Sequence, residues 1–275
     1  MRRLRSLAIW GCASAFLIWA GICLAFFLGR YSLIYPFDPT LSTPQPVGIP
    51  DAKSVQLAAA DGTPLTIWLA PPRGARPVIL FFMGNAGNLA ANIPRLAELA
   101  YSGFGIAALN YRGAGGAPGY PSQTALINDA LTLYDGLDGL MGGAIPSGRR
   151  VIYGTSLGAA VAAQLAARRQ AGAVVLGAPF ARLCEAGQHH YPLIPVCLLL
   201  PDNRWDSLEA VRKIEAPVLI LHGTADEVIP ISQAEKLFAA ANQPKTFLRY
   251  PGGRHSDLRL HGSGQDTIEW LEGLR

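Results

Sequence analysis

Acidic side chains are missing from the start of the chain, and basic ones nearly so. Arg2, Arg3, Arg5 and Arg30 are the only charges before Asp38. The full 275 residues hold 23 Lys plus Arg and 19 Asp plus Glu. Setting aside the four leading arginines leaves 19 against 19, so the net charge of +4 belongs to the N-terminus and the rest is neutral. A neutral body has no basic surface to displace counterions from a phosphate backbone, which removes the charge-based case for nucleic acid. No His/Asp/Glu spacing resembles a ligand set, so no metal is expected. Internal repeats and low-complexity tracts are also lacking. Half of the residues are apolar, with Gly and Pro scattered between apolar runs, which describes a globular chain with a sizeable core. Its length suits one or two domains, and α/β folds of this size are often single.

What is present begins with 22 uncharged residues, Leu7 to Leu28. As a helix they span roughly 33 Å, enough to cross a bilayer core. A cleaved signal peptide is the alternative, but its apolar region runs only about 7–15 residues before a small-x-small cleavage site. Here Phe26, Phe27 and Leu28 stand where Ala-x-Ala would be needed, and neither Cys12 nor Cys23 has the flanks of a lipidated cysteine. Residues 1–30 are therefore expected to form an uncleaved single-pass membrane anchor, ahead of a domain covering 31–275. Three arginines precede the span and one closely follows it. The positive-inside bias then places the N-terminus in the cytoplasm and the domain on the non-cytoplasmic, periplasmic side. Such a location would permit Cys184 and Cys197 to pair, while two reduced core thiols are equally compatible with the sequence.

After a proline-punctuated linker, Tyr31 to Pro50, the segments Ser54–Ala60 and Pro64–Ala70 flank Asp61-Gly62 and read as a hairpin. Short apolar runs then recur at Val78–Met83, Phe104–Leu109, Val151–Tyr153, Ala173–Leu176, Val218–Leu221 and Thr246–Tyr250. They have the form of strands buried on both faces. Helical patterns fall between them, roughly Leu89–Ala100, Gln123–Leu137, Leu157–Arg169, Ser232–Ala241 and Gly264–Leu271. This alternation predicts an α/β fold with a mainly parallel central sheet flanked by helices, its functional loops at the carboxyl ends of the strands. Residues 180–205, holding His189, His190 and the apolar run Val196–Leu200, are too long for a simple βα connection and read as a small cap.

Gly154-Thr155-Ser156-Leu157-Gly158 stands between a strand and an Ala-rich helix. A serine on so tight a turn projects its hydroxyl beyond the sheet edge, and side chains at 154 and 158 would collide there. The helix start also offers the N–H of Leu157 to a developing oxyanion. A serine nucleophile needs a base and an orienting acid. Asp226 and His255 each follow a strand, in that order. Glu227 is the rival acid, with its side chain expected to face another way. His222 is expected to hydrogen-bond loop backbone; His189 and His190 could contact substrate or merely be exposed; His261 reads as solvated. The loop Gly84-Asn85-Ala86-Gly87-Asn88 should supply a second oxyanion donor, from Asn85 or Ala86, with Asn88 capping a helix. A dinucleotide reading of Arg112–Gly119 fails, because a third fingerprint glycine would fall at Pro118.

Gly84-Asn85-Ala86-Gly87-Asn88, Asn110-Tyr111-Arg112-Gly113, Gly154-x-Ser156-x-Gly158, His222-Gly223-x-x-Asp226 and Gly253-x-His255 occur in order. Together they resemble the single-span α/β-hydrolase-domain serine hydrolases, whose relatives include depalmitoylases and lysophospholipases. The resemblance implies the α/β-hydrolase fold and a catalytic triad of Ser156, Asp226 and His255. It also implies an oxyanion hole at Asn85 and Leu157, no cofactor, and an acyl-containing small-molecule or lipid substrate. The group usually has histidine before the Gly-Asn pair, where this chain has Met83. Peptide hydrolysis, acyl transfer and a membrane-tethered binding protein without activity are the competing readings.

Overall fold

The computed structural model describes residues 2–44 and 48–274. Helix α1 (Arg2–Ile34) comes first, then the strands β1 (Lys53–Ala58), β2 (Pro64–Ala70) and β3 (Val78–Phe82). After a 3-10 turn at Leu89–Asn92 come α2 (Ile93–Tyr101), β4 (Gly105–Asn110), α3 (Gln123–Met141), β5 (Arg150–Thr155), α4 (Leu157–Ala166) and β6 (Ala173–Gly177). The chain continues through α5 (Leu183–His190), α6 (Val196–Leu199), α7 (Ser207–Val211), β7 (Val218–Gly223), α8 (Ile231–Ala240), β8 (Lys245–Tyr250) and α9 (Ser263–Gly273).

The eight strands form one sheet in the order β1-β2-β4-β3-β5-β6-β7-β8. β2 pairs antiparallel with both β1 and β4, and every other pairing is parallel. Every residue of β3, β4, β6 and β7 is buried, which is why these strands read as continuous apolar runs and not as alternation. From β3 the chain moves to one side for β4 and returns to the other side for β5. Strand order therefore reverses around β3, and a crevice opens beyond the carboxyl ends of β3 and β5. The Gly84–Asn88 loop and Ser156 both stand at that crevice. This is the mainly parallel, helix-flanked sheet expected from the strand–helix alternation, in the α/β-hydrolase fold that the resemblance implies.

Helix α4 is buried along all ten residues, and its alanines let it lie close to the sheet. The helical pattern from Leu89 splits into a 3-10 turn and α2, because Pro94 lacks an N–H and suits only a first turn. Arg112 ties three elements together. Its guanidinium meets buried Asp129 of α3 at 2.7 and 2.6 Å, and Asp61 of the β1–β2 turn at 2.6 and 3.2 Å.

The linker expectation for Tyr31 to Pro50, of which residues 45–47 lie outside the described residues, needs correcting at its start. α1 does not stop near residue 30 but runs to Ile34, and the chain after it is docked. Phe37 bridges Gly87, the Asp38 N–H donates to Gly87 O at 2.9 Å, and the Gly115 N–H donates to Asp38 O at 2.8 Å. α1 is apolar all round, with a mean hydropathy of 2.1 in its most apolar window. None of that window is buried among the described residues, and Arg5–Ile34 is long and apolar enough to cross a membrane.

Its C-terminal half leans on the cap. Trp19 Nε1 donates to Leu193 O at 2.8 Å, and the Phe26 ring meets Tyr191 edge-on at 5.4 Å. Arg30 pairs with Asp202 at 3.2 Å, and the Tyr31 hydroxyl donates to the same carboxylate. Tyr35, just past the helix, donates to Asn203 at 2.6 Å and accepts from Trp205 Nε1 at 3.2 Å. Within the cap, a disulfide joins Cys184 of α5 to Cys197 of α6, which decides the question the sequence left open.

Candidate active site

Ser156 sits between β5 and α4 with φ 54° and ψ −119°, a left-handed backbone that a non-glycine residue holds only when its surroundings force it. The forcing is visible. A Cβ on Gly154 would lie 1.9 Å from Gly158 O, and one on Gly158 would lie 2.1 Å from Phe82 O. With both glycines in place α4 folds back against β3 and β5. The Ser156 N–H donates to Gly177 O at 2.8 Å, fixing the turn from the β6 side.

Ser156 Oγ lies 3.0 Å from His255 Nε2, and His255 Nδ1 lies 2.8 Å from Asp226 Oδ2. An ionised carboxylate only accepts, so Nδ1 carries the proton and Nε2 is left to accept from the serine hydroxyl. Asp226 is itself fixed: its Oδ1 accepts from the N–H groups of Val228 and Ile229 at 2.9 and 2.8 Å. Glu227 is exposed, so its side chain turns away as expected.

His222, wholly buried at the end of β7, donates from Nε2 to Ile229 O at 2.9 Å, the backbone partner the sequence suggested. The same nitrogen lies 3.3 Å from Asp226 Oδ2, a contact the sequence reading missed. The i,i+4 spacing of His222 and Asp226 was its only available sign. Burial alone would raise the Asp226 pKa. The contacts with His222 and His255 and the Ile229 N–H outweigh burial and hold the carboxyl well below the ordinary carboxylate range. The stabilisation from this pairing is thus complete above the ordinary carboxylate pKa and is lost only as pH falls below that range.

Asn85 and Leu157 line the same cavity as Ser156. The Leu157 N–H opens α4 and has no intrahelical acceptor, and that of Asn85 makes no hydrogen bond among the described residues. The loop carrying Asn85 is braced from beneath: Tyr111, fully buried, donates its hydroxyl to Met83 O at 3.1 Å. Asn88 caps the 3-10 turn by accepting from the Ala90 N–H at 2.9 Å, and also donates to Asp38 at 3.2 Å.

Two cavities meet at Ser156. One, of about 190 Å³, is mainly apolar and runs between the cap and the end of α1; Phe26, Leu33, Ile34, Leu183 and Val196 line it, together with Arg30, which is paired with Asp202. That α1 supplies a wall of the site was not legible in the sequence, since it depends on contacts between residues some 170 positions apart. The other cavity, of about 230 Å³, lies on the His255 side and is lined by Asn92, Arg95, Tyr153, Ser256 and Ser263. His190 lines the apolar cavity and its Nε2 donates to Val228 O at 2.8 Å, tying the cap to the Asp226 loop. His261 is exposed. Among the described residues no group of three or more His, Cys, Asp or Glu is arranged to hold a metal ion.

The chain belongs to the α/β-hydrolase family described as serine aminopeptidase, S33, which it matches over residues 74–199 and 205–259. It is 34% identical over 263 residues to Rv2307c of Mycobacterium tuberculosis, covering 94% of this chain and 92% of that one. The lysophosphatidylserine lipase ABHD12 of Danio rerio is 29% identical over 250 residues, covering 77% of this chain and 64% of that protein. Among solved structures, the Pyrococcus furiosus esterase Pf2001 superposes with a TM-score of 0.70 at 15% identity, covering 86% of this chain and 96% of the esterase. The family is one of hydrolases, with esterases and lipases among its members and structural neighbours.

Proposed function

We propose that the protein is a serine hydrolase that cleaves acyl ester or thioester bonds through an acyl-enzyme. Ser156 Oγ attacks the acyl carbonyl as His255 Nε2 takes its proton. The tetrahedral oxyanion is received by the N–H groups of Asn85 and Leu157, and collapse returns the proton from His255 to the departing alcohol or thiol. Water, activated by the same imidazole, then releases the acid. Asp226 keeps the imidazole in the required tautomer and offsets the positive charge it acquires. Each oxyanion donor contributes roughly 3 kcal/mol to lowering the barrier.

The observation that carries this reading is the continuous chain of hydrogen bonds from Ser156 through His255 to Asp226. The ester reading is favoured over removal of amino-terminal residues because neither cavity at Ser156 is lined by a carboxylate that could receive a free α-ammonium. An acyl substrate is favoured by the apolar cavity. At about 190 Å³ it falls below the ~300–1,000 Å³ of pockets for drug-sized ligands, a size suited to one unbranched chain. The lipase named among the relatives supports a lipid ester.

The same reading places the protein in a membrane by α1, with the domain on the non-cytoplasmic side. The Cys184–Cys197 disulfide supports an oxidising compartment. The cap supports contact with the bilayer. Leu193 and Leu198 are 82% and 79% exposed, and Leu193 is bonded to Trp19, about 14 Å along the helix before Leu28. A chain-length series of esters tests the substrate class: medium-chain esters should exceed acetate in kcat/KM, with up to ~0.8 kcal/mol per buried methylene. Equal turnover of acetyl and longer esters would contradict it.

A further inference from the structure

The two cavities at Ser156 differ in chemistry, and the position of His255 distinguishes their roles. In the proposed mechanism His255 Nε2 must reach the leaving-group oxygen to return the proton. His255 lines the polar cavity and does not line the apolar one. The polar cavity is therefore the side of the alcohol, and the apolar one, walled by the end of α1, is the side of the acyl chain.

Arg95 projects into the alcohol side from the first turns of α2. Its guanidinium has five donors, and none has a hydrogen-bond or ion-pair partner among the described residues. Its Nε is buried without an acceptor, and the guanidinium carbon lies 5.9 Å from the centre of the Tyr153 ring. The carboxylate closest in sequence, Glu98 on the next turn, pairs through Oε1 with Arg259 at 3.0 Å, while its Oε2 is buried without a hydrogen-bond partner. Ser263, almost fully buried, lines the same cavity, and its hydroxyl also has no partner. Among the described residues no carboxylate lines the cavity. A cation and a hydroxyl left unpaired in a concave site beside the nucleophile have the donor set of an anion receptor, because leaving such groups buried and unpaired is costly.

We propose that the substrate is an ester whose alcohol portion bears an anion, phosphate or carboxylate, and that Arg95, with Ser263, is the specificity-determining residue for it. The inference rests on the reading of Ser156, His255 and Asp226 given above. The acyl chain lies against α1 and the cap, the scissile bond stands over Ser156, and the anion meets the Arg95 guanidinium, which suits paired oxygens in a way ammonium does not.

The test compares three esters of one acyl chain, presented to the full-length protein in neutral detergent micelles: 1-dodecanoylglycerol, 1-dodecanoylglycerol 3-phosphate and dodecanoylglycerate. At least one anionic ester should exceed the neutral one in kcat/KM by tenfold or more, and the two anionic arms report which anion is received. Arg95→Gln should lower the anionic-to-neutral ratio at least tenfold, chiefly through KM, while Arg95→Lys, which keeps the charge but loses the fork, should give a ratio between those of Arg95→Gln and the wild type. Absence of any anionic preference in the wild type, or a ratio unmoved by Arg95→Gln, overturns the proposal. An equal loss on all three esters would give Arg95 a structural role instead and also overturns it. Labelling of Ser156 by a fluorophosphonate, run on the same preparations, separates the two levels. A labelled protein without anionic preference sinks the Arg95 inference alone, whereas an unlabelled folded protein sinks the reading beneath it.

Discussion

At Ser156 the backbone is held at a φ of 54°, in a region that costs of order 1–3 kcal/mol and persists only when neighbours enforce it. Gly154 and Gly158 do the enforcing. Either one changed to Ala would drive a methyl into backbone at about 2 Å, so both variants should lose labelling at Ser156 and show a lowered Tm. In the proposed mechanism Asp226 acts through His255 and not on substrate. Asp226→Asn therefore removes the acceptor that selects the tautomer and should lower kcat by about 10⁴, the scale of such a change in serine proteases, while Glu227→Gln should leave kcat within about twofold. A retained rate in Asp226→Asn together with a loss in Glu227→Gln would reassign the acid. These residues could be read from the sequence because local sterics dictate the turn and because strand ends dictate where loops gather. The second contact on Asp226, from His222, could not, since it depends on how far the Asp226 loop folds back over β7.

Among the elements, the strands were legible as buried apolar runs and α4 as an alanine-rich helix. What escaped was decided by approach between distant segments. The extension of α1 to Ile34 is stabilised by its contacts with the cap, and helix α7 is short enough to leave no periodic signal. Arg112 belongs to a motif recognised in the sequence, and the structure gives it a bracing role: it clamps α3 and the β1–β2 turn to the loop after β4. Asp129→Asn leaves a buried guanidinium partly unpaired and should destabilise the fold by about 3–5 kcal/mol, measured by urea unfolding. Reduction of Cys184–Cys197 frees a loop of similar size to one for which chain entropy predicts about 3 kcal/mol, so reductant should lower Tm and raise hydrogen exchange in α5 and α6. Asp202 offers a pH test of the tie between α1 and the cap. The Tyr31 hydroxyl, then Arg30, holds its pKa to about 2, so the tie is complete above the ordinary carboxylate value and is lost as pH falls toward 2. The protection factors of the cap amides should therefore be unchanged between pH 7 and pH 5, and Asp202→Asn should lower them at neutral pH.

Across the molecule as a whole, α1, long and apolar enough to cross a membrane, also walls the candidate site. Leu33 and Ile34 line the proposed acyl cavity, so an enlarged side chain there should shift chain-length preference downward, with Leu33→Trp favouring short esters over medium ones. The arginine asymmetry predicts that a C-terminal reporter active only after export will be active, and that the protein will sediment with membranes. Protease access from the cytoplasmic side alone would overturn that topology. All of this presumes that Ser156 is a working nucleophile, and one measurement asks it directly. The full-length protein is treated with a fluorophosphonate and the modified peptide is mapped. The account predicts a single adduct on Ser156, absent in Ser156→Ala and formed at least a hundredfold more slowly in His255→Ala. A folded wild-type protein that takes no label at Ser156, or a Ser156→Ala variant that labels as fast as wild type, would contradict it.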